Sequence, residues 1–158
     1  MRIWIDTEFN GFEGALISLA LVDEEGRSFY GILPCLDPQP WVEQHVIPVL
    51  DKCHARVPYG KRFRLEAHAA GNLGELQQLM GAWLRQYDAV HLVADWPEDI
   101  AHFCRALITG PGTRLETPAL TMEIRRDLDA VSLVPHNALE DARAMRAVHS
   151  AYEKGGCL

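Results

Sequence analysis

The sequence predicts an α/β fold: a mixed five-stranded sheet flanked by helices, in a single domain spanning residues 1–158. Three observations lead there. The chain opens with three β-rich segments joined by a turn signal. The remainder alternates helical and strand patterns, and no repeat or linker interrupts it.

The apolar run Ile3-Trp4-Ile5 predicts a strand over residues 2–6. "ALISLALVDEEGRSFYGIL" (15–33) predicts a hairpin around Glu24-Glu25-Gly26-Arg27. "DPQPWVEQHVIPVLDK" is punctuated by prolines and predicts one short helix. Residues 53–71 are polar, carry Lys61-Arg62-Phe63-Arg64 and show no periodicity, which predicts a loop. Leu73, Leu76, Leu79, Met80, Trp83 and Leu84 recur at helical spacing within 72–87. "AVHLVA" (89–94) reads as a buried strand, "PEDIAHFCRALI" (97–108) as an amphipathic helix, "ALTMEIR" as a strand and residues 138–154 as the last helix. A leading antiparallel meander followed by α/β crossovers sets the first strand centrally, by analogy with a ribonuclease-H-like sheet.

Bulk properties bound the function. At 158 residues, 48% hydrophobic and 23% charged, the composition is that of a soluble globular domain. The first residues hold too short an apolar run for a signal peptide, and no stretch is long enough to span a bilayer. Cys35, Cys53, Cys104 and Cys157 are widely spaced, with no C-x-x-C pair, which predicts reduced thiols and a cytoplasmic protein. His45, Cys53 and His54 lack the second spaced pair of a zinc site. A net charge of −7 argues against a broad basic nucleic-acid surface. It leaves open an enzyme that grips a strand end, because bound metal supplies local positive charge.

The chemistry sits in three short stretches. In "IWIDTEFNGFEG", Asp6 and Glu8 would point to one face of a strand, where two neighbouring carboxylates repel unless something positive lies between them. Alone the pair is weak, since chance gives it to roughly two in five chains of this length. In "PHNALEDARAM", Asn137 and Glu140 have capping-box spacing. That leaves His136 and Asp141 at the positions that meet across a helix start, either bonded to each other or serving a site. In "LVADWPEDIAHF", Asp95 and Glu98 read as a second cap pair with Pro97 in the first turn. Asp99 is left over beside the stripe Ile100, Phe103, Cys104 and Leu107, at a core edge or in a site. Strand ends and helix starts converge on one crevice in an open sheet. Carboxylate oxygens with few counter-charges suit Mg²⁺ or Mn²⁺. Two such ions and a histidine base specify phosphodiester hydrolysis.

These motifs resemble the DEDDh branch of the DnaQ-like 3′→5′ exonucleases: Asp6-Thr7-Glu8 at the first strand, Asp99 on the middle helix, His136 to Asp141 at the last. The family more often has Asn where this chain has Asp95, which makes Asp95 a competing ligand candidate. "DTEF", "ALISLALVDEEGRSFY", "WVEQHVIPVL" and "HNALEDAR" fall in the order of the small bacterial RNase AS (polyadenylate-specific) exoribonucleases, a likeness that covers most of the chain. The resemblance implies a single-stranded RNA 3′ end as substrate, release of 5′-mononucleotides and two Mg²⁺ or Mn²⁺ ions, and it allows a homodimer. It makes Asp6, Glu8, Asp99 and Asp141 metal ligands and His136 the general base. Adenine preference does not carry over, because it depends on residues outside the motifs.

Phe9, Asn10 and Trp96 flank the acids and are the substrate-contact candidates. The two aromatics have core packing as the alternative to stacking on a base. Lys61, Arg62 and Arg64 are either phosphate contacts or a solvated loop. DNA 3′ ends are the alternative substrate, since sugar choice rests on contacts to the 2′ hydroxyl. A catalytically idle nucleic-acid-binding module is the reading of another class.

Overall fold

Ile3, Trp4 and Ile5 are fully buried, as their apolar run dictates, but the strand they begin continues through both acids. In the computed structural model, which describes residues 1–52 and 67–155, β1 is Arg2–Phe9. The extension has a backbone cause. The parallel neighbour of β1 pairs only as far as Trp4, whereas its antiparallel neighbour keeps register through Glu8 and pairs on to Phe9 after a register shift between the two.

The chain continues through β2 (Leu16–Asp23), β3 (Ser28–Ile32), α1 (Pro40–His45), a 3₁₀ turn (Ile47–Val49) and β4 (Ala67–Ala69). Then come α2 (Leu73–Leu84), β5 (Ala89–Ala94), α3 (Pro97–Ala106), a small hairpin of β6 (Ile108–Gly110) and β7 (Thr113–Arg114), β8 (Ala119–Ile124) and α4 (Ala138–Gly155). The hairpin predicted at 15–33 is β2 and β3, turned at Gly26, whose φ of 86° suits a residue without a side chain.

The main sheet runs β4-β3-β2-β1-β5-β8. The five predicted strands are all present, and β1 is interior. β4 corrects one expectation: it forms at the end of the segment read as loop and pairs parallel with β3. Three residues are too few for periodicity to register. The rest of that segment, with Lys61, Arg62, Arg64, Cys53 and His54, lies outside the described residues.

Alternation along the strands divides the core between two faces. Ile3, Ile5, Leu19, Leu21 and Leu92 meet Leu76, Met80 and Leu84 of α2 and Phe103 of α3. Trp4, Ala20, Val22, Tyr30 and Val93 meet Ala138, Leu139, Ala142 and Met145 of α4. Each large apolar side chain removed from water contributes about 1.5–3 kcal/mol, so both faces drive folding. Gly31 brings α2 onto the sheet, since a Cβ there would overlap Leu76 Cδ1. β1, β5 and β8 run parallel, so their C-terminal ends share one edge of the sheet.

Candidate active site

At that edge the alternation of β1 separates its chemistry. Asp6 and Glu8 lie on the Trp4 face, toward α4, and Thr7 lies on the opposite face with Ile3 and Ile5. Thr7 is buried and reaches α3. Its backbone N–H donates to Asp99 Oδ1 at 3.0 Å, and its hydroxyl donates to the same oxygen at 2.7 Å. One oxygen of Asp99 is thereby fixed. The other, Oδ2, is buried and has no hydrogen-bond partner among the described residues, on a residue only 2% exposed. A buried carboxylate oxygen left in this way is costly without a cation or proton.

The start of α4 is built as the capping pattern predicts. Asn137 Oδ1 accepts from the Glu140 N–H at 3.1 Å, and its Nδ2 donates to the carbonyls of Val49 and Leu50. His136, immediately before the cap, is left-handed at φ 64°. Its ring stands edge-on to Trp41, with centroids 4.9 Å apart. His136 and Asp141 are linked through the His136 backbone. Asp141 takes hydrogen bonds from the Ser132 hydroxyl and the His136 N–H.

The start of α3 departs from its expected cap. The N-cap is Trp96, with no side-chain cap bond, and Pro97 follows in the first turn. Trp96 Nε1 donates to Glu98 Oε2 at 3.0 Å. Asp95 is therefore not a cap, and it stands one residue past β5 among the other acids. The inward face of α3 is also shifted from the predicted stripe: Asp99, His102, Phe103 and Ala106 are buried, while Cys104 is exposed.

These elements bring five carboxylates together in two overlapping groups. Oxygens of Asp6, Glu8 and Asp141 lie within 4.8 Å of one another, as do oxygens of Asp6, Asp95 and Asp99. Asp6 belongs to both. Among the described residues no lysine, arginine or histidine forms an ion pair with any of the five. The electrostatics follow. Burial, and then the charges of Asp99, Asp141, Glu8 and Asp95, lift the Asp6 carboxyl well above the usual carboxylate range. Burial, then Asp141 and Asp99, push Glu8 up to about 8. Burial raises Asp99 to about 7 against the hydrogen bonds from Thr7, and raises Asp95 and Asp141 as well. Crowded, desolvated carboxylates of this kind take either protons or cations. An all-oxygen donor set with an orphaned buried oxygen fits a hard divalent ion.

The candidate substrate contacts surround this centre. Phe9 is half-buried and stacks on His102, with centroids 4.7 Å apart. Trp96 is 46% exposed, and the Arg126 guanidinium covers its ring at 4.4 Å. Asn10 ties two loops together: its Nδ2 donates to the Asp37 carbonyl and its Oδ1 accepts from the Gln39 N–H. The sequence reading missed Thr7 and Trp41. Period-two alternation puts Thr7 opposite the acids and could have sent it toward a helix. Nothing local ties Trp41 to His136.

Fold and site together define an α/β domain whose sheet edge carries an acidic centre able to hold metal ions. No family model matches the chain. It is 31% identical over 165 aligned positions to the 3′-5′ exoribonuclease Rv2179c of Mycobacterium tuberculosis (strain ATCC 25618 / H37Rv), a match covering 90% of this chain and 88% of that one. The 3′-5′ exoribonuclease MT2234.1 of the CDC 1551 / Oshkosh strain matches to the same extent. The chain belongs to the family of these exoribonucleases.

Proposed function

We propose that the protein is a metal-dependent 3′→5′ exoribonuclease that trims single-stranded RNA from its 3′ end and releases 5′-mononucleotides. The observation that carries this reading is Asp6, one carboxylate common to two groups of three, in a chain related to named exoribonucleases over most of its length. Strand order, with an interior β1 followed by parallel crossovers, supports a ribonuclease-H-like sheet. The motif set supports membership of the DEDDh branch.

Asp6, Glu8 and Asp141 would hold one Mg²⁺ or Mn²⁺, and Asp6 and Asp99 a second. When bound, such a pair activates a water beside the phosphodiester and stabilises the leaving oxygen. His136 acts as general base and takes the proton of the attacking water. The water oxygen bonds to phosphorus, and the bond from phosphorus to the 3′ oxygen of the preceding nucleotide breaks. That oxygen takes a proton from solvent and becomes the new 3′ hydroxyl. The released nucleotide keeps its 5′ phosphate. Phe9 and Trp96 offer aromatic faces to the terminal bases, a contact worth about 1–3 kcal/mol per base and tolerant of sequence. Asn10 keeps the loop beside Phe9 in place. The homodimer that the resemblance allows is tested by light scattering.

The test of function is a time course on 5′-labelled RNA and DNA strands of equal sequence, with Mg²⁺, with Mn²⁺ and with chelator, alongside Asp6→Ala. The expected result is a ladder shortening from the 3′ end of RNA, absent with chelator and in the variant. Equal shortening of DNA would make the protein a general 3′ exonuclease. No shortening of either strand with either metal would overturn the reading in favour of a binding module.

A further inference from the structure

We infer that Asp95 is a ligand in its own right, completing with Asp6 and Asp99 a three-carboxylate site that holds a second divalent cation before any nucleic acid arrives. The inference rests on the metal-dependent reading above and adds a residue and an order of binding to it.

Among the described residues Asp95 has no structural employment that would account for an acid at this point. It does not cap α3, whose N-cap is Trp96. It forms no ion pair among the described residues. The positive charge that acts on it, Arg126, lies over the Trp96 ring instead. Its carboxylate meets those of Asp6 and Asp99 within 4.8 Å. The independent sign that this group is made for a ligand is Asp99. Both Thr7 donors fasten Oδ1, which leaves Oδ2 buried and unpartnered on a residue 2% exposed. A side chain anchored by one oxygen, with the other desolvated and free, is pre-organised to coordinate.

Charge count then sets the order of events. Oxygen sites for hard cations tune their affinity by the number of charged ligands and by site rigidity. A site with two carboxylates depends on a substrate phosphate to complete its charge. Three carboxylates, one of them immobilised by Thr7, do not. The Asp6–Asp95–Asp99 group therefore binds its ion in the free protein, and the enzyme meets RNA with both ions in place.

The test is a calorimetric titration of Mn²⁺ into the metal-free full-length chain, with no nucleic acid, for wild type and Asp95→Asn. Asparagine keeps the shape and removes one repelling charge, so the variant is expected to fold, and circular dichroism checks that it has. Two Mn²⁺ per wild-type chain are expected. In Asp95→Asn one site should persist while the other weakens about tenfold or more. A single Mn²⁺ on the wild type, or two of unchanged affinity on the variant, would overturn the inference. RNA trimming assayed on the same wild-type sample separates the two readings. One bound ion with Mn²⁺-dependent trimming sinks this inference and leaves the exoribonuclease reading standing. No bound ion and no trimming sinks both.

Discussion

At the start of α4, Asn137 is fully buried and ties its side chain mainly to backbone groups, with Oδ1 on the Glu140 N–H and Nδ2 on the carbonyls of Val49 and Leu50 and, at 3.5 Å, on the Tyr30 hydroxyl. At the start of α3 the N-cap side chain does not do this: Trp96 occupies the N-cap, Pro97 fills the first turn, and the acid at N3, Asp99, takes bonds from Thr7 as well as from the Trp96 N–H. The contrast shows two ways of presenting acids at a helix N-terminus, where the positive end of the dipole favours them. In α4 a neutral residue makes the cap, and its neighbours His136 and Asp141 are left available. In α3 the cap is given up, and the residues that could have made it face Asp6. The site, and not the helix, decides what Asp95 and Asp99 do.

Asp6 is where the two helix starts meet, so its loss has the largest expected effect. Asp6→Ala takes a ligand from both acid groups at once. Metal-ion stabilisation is worth several kcal/mol, so RNA hydrolysis should fall by ~10³-fold or more. The metal-free variant should melt no lower than wild type, because a repelling charge has gone, and Mn²⁺ should no longer raise its melting temperature. A variant that keeps wild-type activity would remove Asp6 from the site.

Substituting one residue at each helix start separates the two kinds of cap. Asn137→Ala loses a cap, worth about 1 kcal/mol, and strips the donors from two carbonyls, adding about 1–3 kcal/mol. Asp95→Ala, made without metal, should cost nothing or stabilise, since Asp95 caps nothing and is crowded by like charge. Urea unfolding in chelator measures both. Equal destabilisation by the two would mean that α3 is capped by Asp95 after all.

Most of the architecture was legible because each major element carries its own signal: an apolar run in β1, β-rich arms in β2 and β3, helical spacing in α2 and α4, Gly26 in the hairpin turn. β4, β6 and β7 were not, because strands of two or three residues leave no period to detect. The acids were legible as a set, since strand ends and helix starts must converge on one edge. The cap assigned to Asp95 failed for a local reason. Its spacing to Glu98 satisfies a capping pattern, and nothing within that window reveals Asp6 on the neighbouring strand. The edge-on contact of Trp41 with His136 was invisible for the same cause, being tertiary throughout.

Thr7 holds the α3 side of the site in place, and its effect should be intermediate. Thr7→Val removes the hydroxyl bond to Asp99 Oδ1 and keeps the backbone bond, with nearly unchanged volume. Weakening of one Mn²⁺ site by about tenfold is expected, with the other unaffected. Thr7→Ser, which restores the hydroxyl, should recover most of it. If valine binds Mn²⁺ as threonine does, the hydroxyl bond has no part in positioning Asp99.

The smallest effect concerns the acids as titrating groups, and its sign opposes ordinary carboxylate behaviour. Burial and neighbouring charge raise Glu8 from 4.5 to about 8, and Asp6, Asp95, Asp99 and Asp141 shift in the same direction. Between those values the folded, metal-free protein binds protons that the unfolded chain has released, so stability falls as pH rises. Two buried histidines act oppositely: His102 and His149 lie below their usual 6.5, so their contribution sets in as pH falls through that value. Asp127, held near 2 by Arg125, acts lower still. A scan from about pH 7 to 8 therefore reads mainly the acidic centre. In chelator the melting temperature should decline across that window, and Glu8→Gln should lessen the decline. Saturating Mg²⁺ should abolish it, because the cation replaces the protons. A melting temperature that holds level or climbs in chelator would show that these carboxylates are ionised and stable as they stand, with no call for a cation.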